Sequence, residues 1–181
     1  MQICLTGLPG SGKTLQSKFL AQMIPIPRYS VSELACQEAQ TDSELGQRIR
    51  SIQQLPSWQP LPDDIAIALY GRIGDQDFFM DGFPRSLAQW QWLKEQGKDF
   101  LVFYVDTSEA ESRRRFLERG DASADWESRI ALERDRIPAV LQQMQEDPRF
   151  FSINGDRNVL DVYEDIFQTI ARVAQPSELP N

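Results

Sequence analysis

The sequence predicts an α/β protein in which helices cover both faces of a parallel, five-stranded sheet. Two observations indicate this fold class. Short apolar runs alternate with helical patterns, and a glycine-rich loop joins the first run to the first helix. At 181 residues, 41% of them hydrophobic, the chain is long enough to bury a substantial core within one domain. We therefore expect a single domain with three layers, α/β/α, over residues 1–181.

Each predicted strand is a short apolar run that precedes a helical pattern. Strands that alternate with helices are joined by crossover connections, so they should run parallel. The strands are expected at residues 3–6, 28–30, 78–80, 100–105 and 150–153, of which 28–30 has the weakest pattern. Helices are expected near residues 13–23, 31–40, 42–54, 62–74, 86–96, 108–119, 126–146 and 158–174, with N-caps at Ser86, Ser108 and Asn158.

Two regions interrupt the alternation of strands and helices. Residues 31–74 are mostly helical and so form an insert between two strands. Residues 120–125 are a short polar bridge between two helices, where a lid over a binding site could hinge.

Composition and charge narrow the kinds of partner and chemistry. The formal net charge of −8 disfavours nucleic acid and anionic membranes as partners, because both bind basic patches. The sequence contains no histidine, which excludes imidazole catalysis and histidine metal sites. Cys4 and Cys36 lie far apart, and no apolar run approaches the length of a membrane span. We expect a cytoplasmic protein with reduced thiols, and neither a nucleic acid nor a membrane as partner.

The glycine-rich loop spans Gly7 to Thr14 and has the pattern G-x-x-x-x-G-K-T. Between a strand and a helix this pattern is typical of a phosphate site, because glycines let backbone N–H groups turn towards phosphate oxygens and the helix adds its positive N-terminus. Lys13 supplies a mobile positive charge, and Thr14 a hydroxyl for Mg²⁺. The loop residues expected to bind a nucleotide phosphate chain are Gly10, Ser11, Gly12, Lys13 and Thr14.

A second motif follows the apolar run at 78–80 and reads D-G-F-P-R-S-L-A-Q. Asp81 would lie at the carboxyl end of a strand beside the glycine-rich loop, where a carboxylate can hold the water ligands of Mg²⁺. Arg85 offers a planar guanidinium that suits phosphate in both geometry and charge. Gln89, one helical turn further on, offers an amide that can pair with the edge of a base.

The stretch D-G-F-P-R-x-x-x-Q resembles the signature of the adenylate kinase family of nucleoside monophosphate kinases, with every signature position filled. The resemblance covers most of the chain and implies a P-loop kinase fold with strand order 2-3-1-4-5. It also implies a helical acceptor-binding insert over residues 30–74 and a short lid over 119–128. The implied reaction is Mg²⁺-dependent transfer of the γ-phosphoryl group of ATP to a nucleoside monophosphate, with AMP favoured, by a monomeric enzyme of nucleotide biosynthesis.

The resemblance also implies roles for individual residues. Catalysis would depend on four cations around the transferred phosphoryl group: Lys13, Arg85, Arg119 and Arg129. The donor ATP would be bound by the glycine-rich loop together with Leu15, Arg115, Arg119 and Gly155. The acceptor would be bound by Ser30, Val31, Cys36, Leu61, Pro62, Gly82, Phe83, Arg85 and Gln89.

The chain departs from the family pattern at several positions. Leu15 stands where relatives carry the loop threonine, so Thr14 takes that role, and the short lid lacks one arginine. Cys36 stands where relatives carry an arginine for the acceptor phosphate, and Arg28 and Arg72 are candidates to replace it. Two alternatives stay open: a kinase for a different small acceptor, and a catalytically weak regulatory protein that binds ATP or AMP.

Overall fold

A computed structural model describes residues 1–55, 59–120 and 123–174. It contains one sheet of five parallel strands in the order β2-β3-β1-β4-β5, which confirms the predicted fold class and strand order. Each strand lies within one residue of the range expected from the sequence. The strands are β1 Gln2–Thr6, β2 Arg28–Ser30, β3 Phe78–Asp81, β4 Phe100–Asp106 and β5 Phe150–Asn154.

The described residues form eight helices, which connect the strands and cover both faces of the sheet. Within these ranges, no helix is long and apolar enough to cross a membrane. The helices are α1 Lys13–Met23, α2 Val31–Glu38, α3 Glu44–Gln53, α4 Asp63–Gly71, α5 Leu87–Glu95, α6 Glu109–Glu118, α7 Ser123–Met144 and α8 Val159–Ala174.

Side chains that alternate along the strands fill the core on both sides of the sheet. Cys4 and Met80 pack against α4, α5 and α7 on one face, whereas Leu5 and Phe79 pack against α1 and α8 on the other. All four are fully buried. The three-layer arrangement follows from this burial of both faces.

Three helices begin at the caps expected from the sequence. The Ser86 and Ser108 hydroxyls accept hydrogen bonds from backbone N–H groups three residues later, at 3.2 and 3.3 Å. Asn158 Oδ1 accepts from the N–H groups of Leu160 and Asp161, both at 3.0 Å. These bonds satisfy donors that have no partner within a helix, and they fix where α5, α6 and α8 start.

The helix α7 begins three residues earlier, and ends two residues earlier, than predicted. Residues 123–125 of the expected polar bridge are helical, while 121 and 122 lie outside the described residues. Ala is the best helix former and Asp suits a first turn, so the run Ser-Ala-Asp fits a helix start as well as a bridge. The short lid expected over 119–128 thus contains a helical part and two residues that are not described.

The helices α2, α3 and α4 lie between β2 and β3, where the sequence predicts an insert. α2 begins directly after β2, the edge strand of the sheet. The three helices share a small core that is separate from the two at the sheet. It consists of Ala35, Ala39, Ile49, Ile65 and Leu69.

Arg28 joins three elements near the carboxyl end of β3. Its guanidinium donates hydrogen bonds to the Ser17 hydroxyl at 2.8 Å and to the Glu33 carboxylate at 2.9 Å. A third bond, also 2.9 Å, reaches Asp81 Oδ2. The Arg28 and Asp81 side chains are only 11% and 4% exposed. This largely buried ion pair therefore depends on both partners, because either charge alone would be costly there.

We expect Arg28→Met to lower the free energy of unfolding by about 3 kcal/mol, because it leaves the Asp81 carboxylate buried without its counter-ion. The matched control is Arg48→Met, since Arg48 pairs with Asp64 where the side chains are 48% and 60% exposed. That change should cost less than about 1 kcal/mol. Urea denaturation measures both values, and equal losses would contradict the importance of the buried pair.

The two cysteines should differ in reactivity. Cys4 is buried within β1, and burial raises the pKa of its thiol to about 12, although a hydrogen bond with Tyr70 acts in the opposite direction. Cys36 is exposed on α2. Because the thiolate is the reactive form, a thiol reagent at neutral pH should modify one cysteine in the native protein and two in urea. Mass spectrometry counts them, and native labelling that survives Cys36→Ser would contradict the prediction.

Candidate active site

A cleft opens at the carboxyl ends of β1 and β3, where open α/β sheets bind ligands. Its volume of about 360 Å³ is that of a small-molecule site. Among the described residues, five cations and three carboxylates line it. These are Lys13, Arg85, Arg119, Arg129 and Arg136, with Glu33, Asp81 and Glu133. Such a cleft, in a protein whose net charge is −8, indicates an anionic ligand.

The glycine-rich loop forms one side of the cleft, between β1 and α1. Gly10 has a φ of +86°, and a Cβ there would lie 2.2 Å from the Ser112 carbonyl oxygen, so only glycine fits. Gly12 precedes α1 with a φ of +94°. The buried Ser11 hydroxyl has no hydrogen-bond partner within the described part of the chain. A phosphate at the N-terminus of α1 would meet the backbone N–H groups of this loop.

Lys13 and Thr14 begin α1 and face the cleft. The Lys13 ammonium donates a hydrogen bond to the Leu8 carbonyl oxygen at 2.9 Å. Burial, followed by the positive charge of Arg85, lowers the pKa of Lys13 to about 8, even though the Asp81 carboxylate acts in the opposite direction. The protein's own carboxylates therefore compensate this ammonium incompletely, and a polyanionic ligand would stabilise its charged form.

Two further cations flank an aromatic ring. The guanidinium carbons of Arg119, which follows α6, and Arg129, within α7, lie 5.0 and 5.5 Å from the centre of the Phe116 ring. All three residues line the cleft. Cation–π contacts of this kind hold the two guanidinium groups beside the glycine-rich loop.

Arg115, one turn before Arg119, makes different contacts. Its guanidinium donates to the carbonyl oxygens of Gly155 at 2.9 Å and Ser11 at 3.4 Å, which joins the glycine-rich loop to the loop after β5. An ion pair with Glu111 at 2.7 Å compensates its charge. Like charges one helical turn apart repel each other, and the ion pair with Glu111 reduces this repulsion between Arg115 and Arg119 without a ligand.

Asp81, the last residue of β3, presents a half-satisfied carboxylate to the cleft. Its Oδ2 accepts from Arg28, whereas Oδ1 is buried and has no hydrogen-bond partner among the described residues. Across residues 1–55, 59–120 and 123–174, no three acidic or cysteine side chains gather into a metal site. Thr14 and Asp81 together nevertheless fit Mg²⁺, which takes few protein ligands and keeps several waters.

Arg85 is ion-paired with Glu133 of α7. One guanidinium nitrogen donates to the Glu133 carboxylate, and the two side chains are 28% and 7% exposed. The backbone N–H of Arg85 donates to Gln89 Oε1 at 2.7 Å. These contacts fix Arg85 at the cleft, but a protein carboxylate occupies part of its guanidinium.

Gln89 lines the cleft with both ends of its amide already bonded. Oε1 accepts from the Arg85 N–H, and Nε2 donates to Asp63 Oδ1 at 2.8 Å. The two partners fix the orientation of the amide, because an N–H requires an acceptor and a carboxylate requires a donor. One Nε2 hydrogen remains for a ligand, so Gln89 can donate a single hydrogen bond to a base edge.

Cys36 does not reach the cleft that the described residues form. It is exposed on α2, and its sulfur lies 4.0 Å from Gln53 Nε2. The two arginines considered as replacements are committed elsewhere. Arg28 pairs with Asp81, and Arg72 pairs with Glu38 while remaining 53% exposed.

The structure brings together twelve of the residues expected at the site. They are Gly10, Lys13, Thr14, Ser30, Val31, Leu61, Asp81, Gly82, Arg85, Gln89, Arg119 and Arg129. The other expected residues lie outside the lining of the cleft within the described chain. They are Ser11, Gly12, Leu15, Cys36, Pro62, Phe83, Arg115 and Gly155.

Sequence reasoning missed nine residues that line the cleft, among them the charged residues Glu133 and Arg136. Both lie on α7, four and seven residues after Arg129, and all three line the cleft. This spacing places them on one face of the helix. A helical projection that starts at Arg129 would have found them.

Comparisons with known proteins agree with this geometry. A family model described as an AAA domain matches residues 6–130, which include the glycine-rich loop and β3. Curated proteins named adenylate kinase are similar over nearly the whole chain. The protein of Leuconostoc mesenteroides is 29% identical, over 93% of this chain and 96% of its own length. Those of Azobacteroides pseudotrichonymphae and Thermosynechococcus vestitus are each 28% identical, over 94% and 96% of this chain and 97% and 98% of their own lengths. The chain therefore belongs to this AAA-domain family of P-loop proteins, as an adenylate-kinase-like member.

Proposed function

We propose that this adenylate-kinase-like phosphotransferase moves the γ-phosphoryl group of ATP to a nucleoside monophosphate, with AMP as the favoured acceptor. The observation that carries the proposal is the lining of the cleft, where a glycine-rich loop and five cations meet the acceptor segment around Ser30 and Leu61. This density of positive charge suits two phosphate-bearing substrates whose phosphates meet. The likeness to proteins named adenylate kinase supports the same reaction.

Catalysis would depend on positioning and charge neutralisation, since phosphoryl transfer needs little covalent chemistry from the protein. The β- and γ-phosphates of ATP would lie against the glycine-rich loop and Lys13. Arg119 and Arg129 would neutralise charge on the transferred group, while Arg85 would hold the acceptor phosphate in line with it. The acceptor oxygen belongs to a phosphate and is already anionic, so no protein base is required.

Thr14 and Asp81 would hold Mg²⁺ when it enters with ATP. The Thr14 hydroxyl would be one ligand, and Asp81 Oδ1 would hold a water of the ion, which would satisfy an acceptor that the described chain leaves without a partner. The metal would supply charge neutralisation at the phosphates. Arg28 remains on Oδ2 and keeps the carboxylate oriented.

A kinase for a different small acceptor is the second candidate function. Two observations favour it: Cys36 lies outside the cleft, and the Glu133 carboxylate already occupies Arg85. A nucleotide-binding protein with little turnover is the third. An assay of ADP formation from ATP, with AMP, GMP, CMP, UMP and small alcohols as acceptors, separates the three. Fastest turnover with AMP supports the proposal, whereas turnover only with an alcohol, or ATP binding without turnover, overturns it.

We expect Lys13→Ala to lower kcat/KM by roughly a hundredfold or more, because it deletes a charge that faces the phosphates in the transition state. The control is Lys18→Ala, which removes an exposed lysine from the same helix and should leave kcat/KM unchanged. Steady-state kinetics with ATP and AMP provide the comparison, and normal turnover in the Lys13 variant would contradict the assignment of the donor site.

The role of Gln89 in reading the base makes a separate prediction. Gln89→Ala should reduce the preference for the favoured monophosphate by about 1–3 kcal/mol, because the remaining amide hydrogen no longer contacts the base edge. Gln91→Ala, on the exposed side of α5, is the matched control and should leave the preference intact. The measurement is the ratio of kcat/KM values across monophosphates. An equal fall for all of them would mean that Gln89 does not read the base.

A further inference from the structure

For the acceptor phosphate, the residues that the structure describes offer Arg85, whose guanidinium is already partly occupied. Arg85 is shared with Glu133, and Cys36 lies at the surface. A phosphate that approaches Arg85 therefore also approaches a buried carboxylate, which opposes binding. Another cation is needed close to Arg85, on an element that already reaches the cleft.

The helix α7 carries such a cation. Arg129, Glu133 and Arg136 follow one another at intervals of four and three residues, and all three line the cleft. Arg134, between them, faces away and pairs with Glu109 on α6 at 2.5 Å. The face of α7 towards the cleft thus has the order cation, carboxylate, cation.

The spacing along α7 places Arg136 near Arg85, the residue assigned to the acceptor phosphate. From Arg129, which shares the Phe116 ring with Arg119, the helix rises about 10 Å to Arg136. Glu133 meets Arg85 on the way, and the C-terminal part of α7 packs with α5, the helix that carries Gln89. Arg136, one helical turn after Glu133 and on the same face of α7, therefore lies close to Arg85 in the cleft.

Arg136 is also available to a ligand. It is exposed, and it makes no hydrogen bond or ion pair with any residue that the structure describes. The other arginines considered for this role have partners, since Arg28 pairs with Asp81 and Arg72 with Glu38. An unpaired guanidinium at the edge of an anion site gains a partner when phosphate binds, without breaking an existing ion pair.

We propose that Arg136 binds the phosphate of the acceptor nucleotide and supplies the contact that Cys36 does not. This inference rests on the proposed function, because it assigns the acceptor phosphate to the same cleft. Arg85 and Arg136 then hold the phosphate from two sides, and Glu133 lies between the two cations.

The test compares Arg136→Ala with the matched control Arg134→Ala, in kinetics with ATP and AMP. A lost charge-assisted hydrogen bond should raise the KM for AMP by roughly ten- to a hundredfold in the first variant. The KM for ATP should stay within about twofold, and the control should match wild type in both. Arg136→Lys keeps the charge without the planar guanidinium and should give an intermediate KM for AMP.

Inhibition by adenosine distinguishes the loss of a phosphate contact in Arg136→Ala from a general distortion of the pocket. As a competitive inhibitor against AMP, adenosine lacks the phosphate, so its inhibition constant should be the same in wild type and Arg136→Ala. An unchanged KM for AMP, or an equal rise of the KM for ATP, would overturn the inference. So would equal weakening of adenosine, because that would mean a distorted pocket.

Failure of the inference is distinguishable from failure of the proposed function. If wild type phosphorylates AMP and Arg136→Ala does so equally well, only the inference fails. If wild type shows no turnover with AMP, the proposed function fails, and calorimetric titration of AMP into both proteins still tests Arg136. Equal affinities, or no binding to wild type, would then reject the inference as well.

Discussion

Cations gathered in one cleft repel each other, and the architecture of this site depends on how that repulsion is balanced. Each compensating carboxylate comes from a different element, so packing and charge balance are linked. Glu133 of α7 pairs with Arg85, and the Asp81 carboxylate at the end of β3 acts on Lys13. Lys13 is the exception, because burial and Arg85 lower its pKa to about 8 despite nearby carboxylates. An ammonium that the protein compensates incompletely thus lies at the N-terminus of α1, where a phosphate chain is best bound.

Local patterns predict the sheet well because its strands are short and most are buried on both faces, so each is an almost continuous apolar run. The weakest prediction, β2, is a three-residue edge strand whose first residue is a charged arginine. The predicted start of α7 is wrong because Ser, Ala and Asp suit a first helical turn as well as a polar bridge. Sequence patterns identify elements reliably where burial dictates residue type, and less reliably where two local structures accept the same residues.

Some residues of the candidate site can likewise be predicted from local sequence patterns, whereas others cannot. Lys13, Asp81 and Arg85 belong to motifs that are contiguous in sequence, and each turns its side chain into the cleft. Arg136 is far from those motifs and reaches the cleft only because α7 packs along α5, which no local pattern specifies. Cys36 is the opposite case. The family pattern gives its position along α2, but it does not determine which face of that helix points into the cleft, and Cys36 lies outside the lining. A charged residue on a long helix is usually a solvated one, so its role becomes visible only in three dimensions.

The pairing of Arg85 with Glu133 makes acceptor binding an exchange of partners. Part of the guanidinium is occupied before a phosphate arrives, so the affinity is a difference between two ion pairs and is smaller than the number of arginines suggests. The carboxylate cannot simply lose its counter-ion, because a buried and unpaired charge is costly. With Arg136 one turn further along the same helix, a phosphate held by both arginines leaves Glu133 between two cations. The buried carboxylate then keeps a compensating charge with and without an acceptor, which allows the site to hold a phosphate next to it.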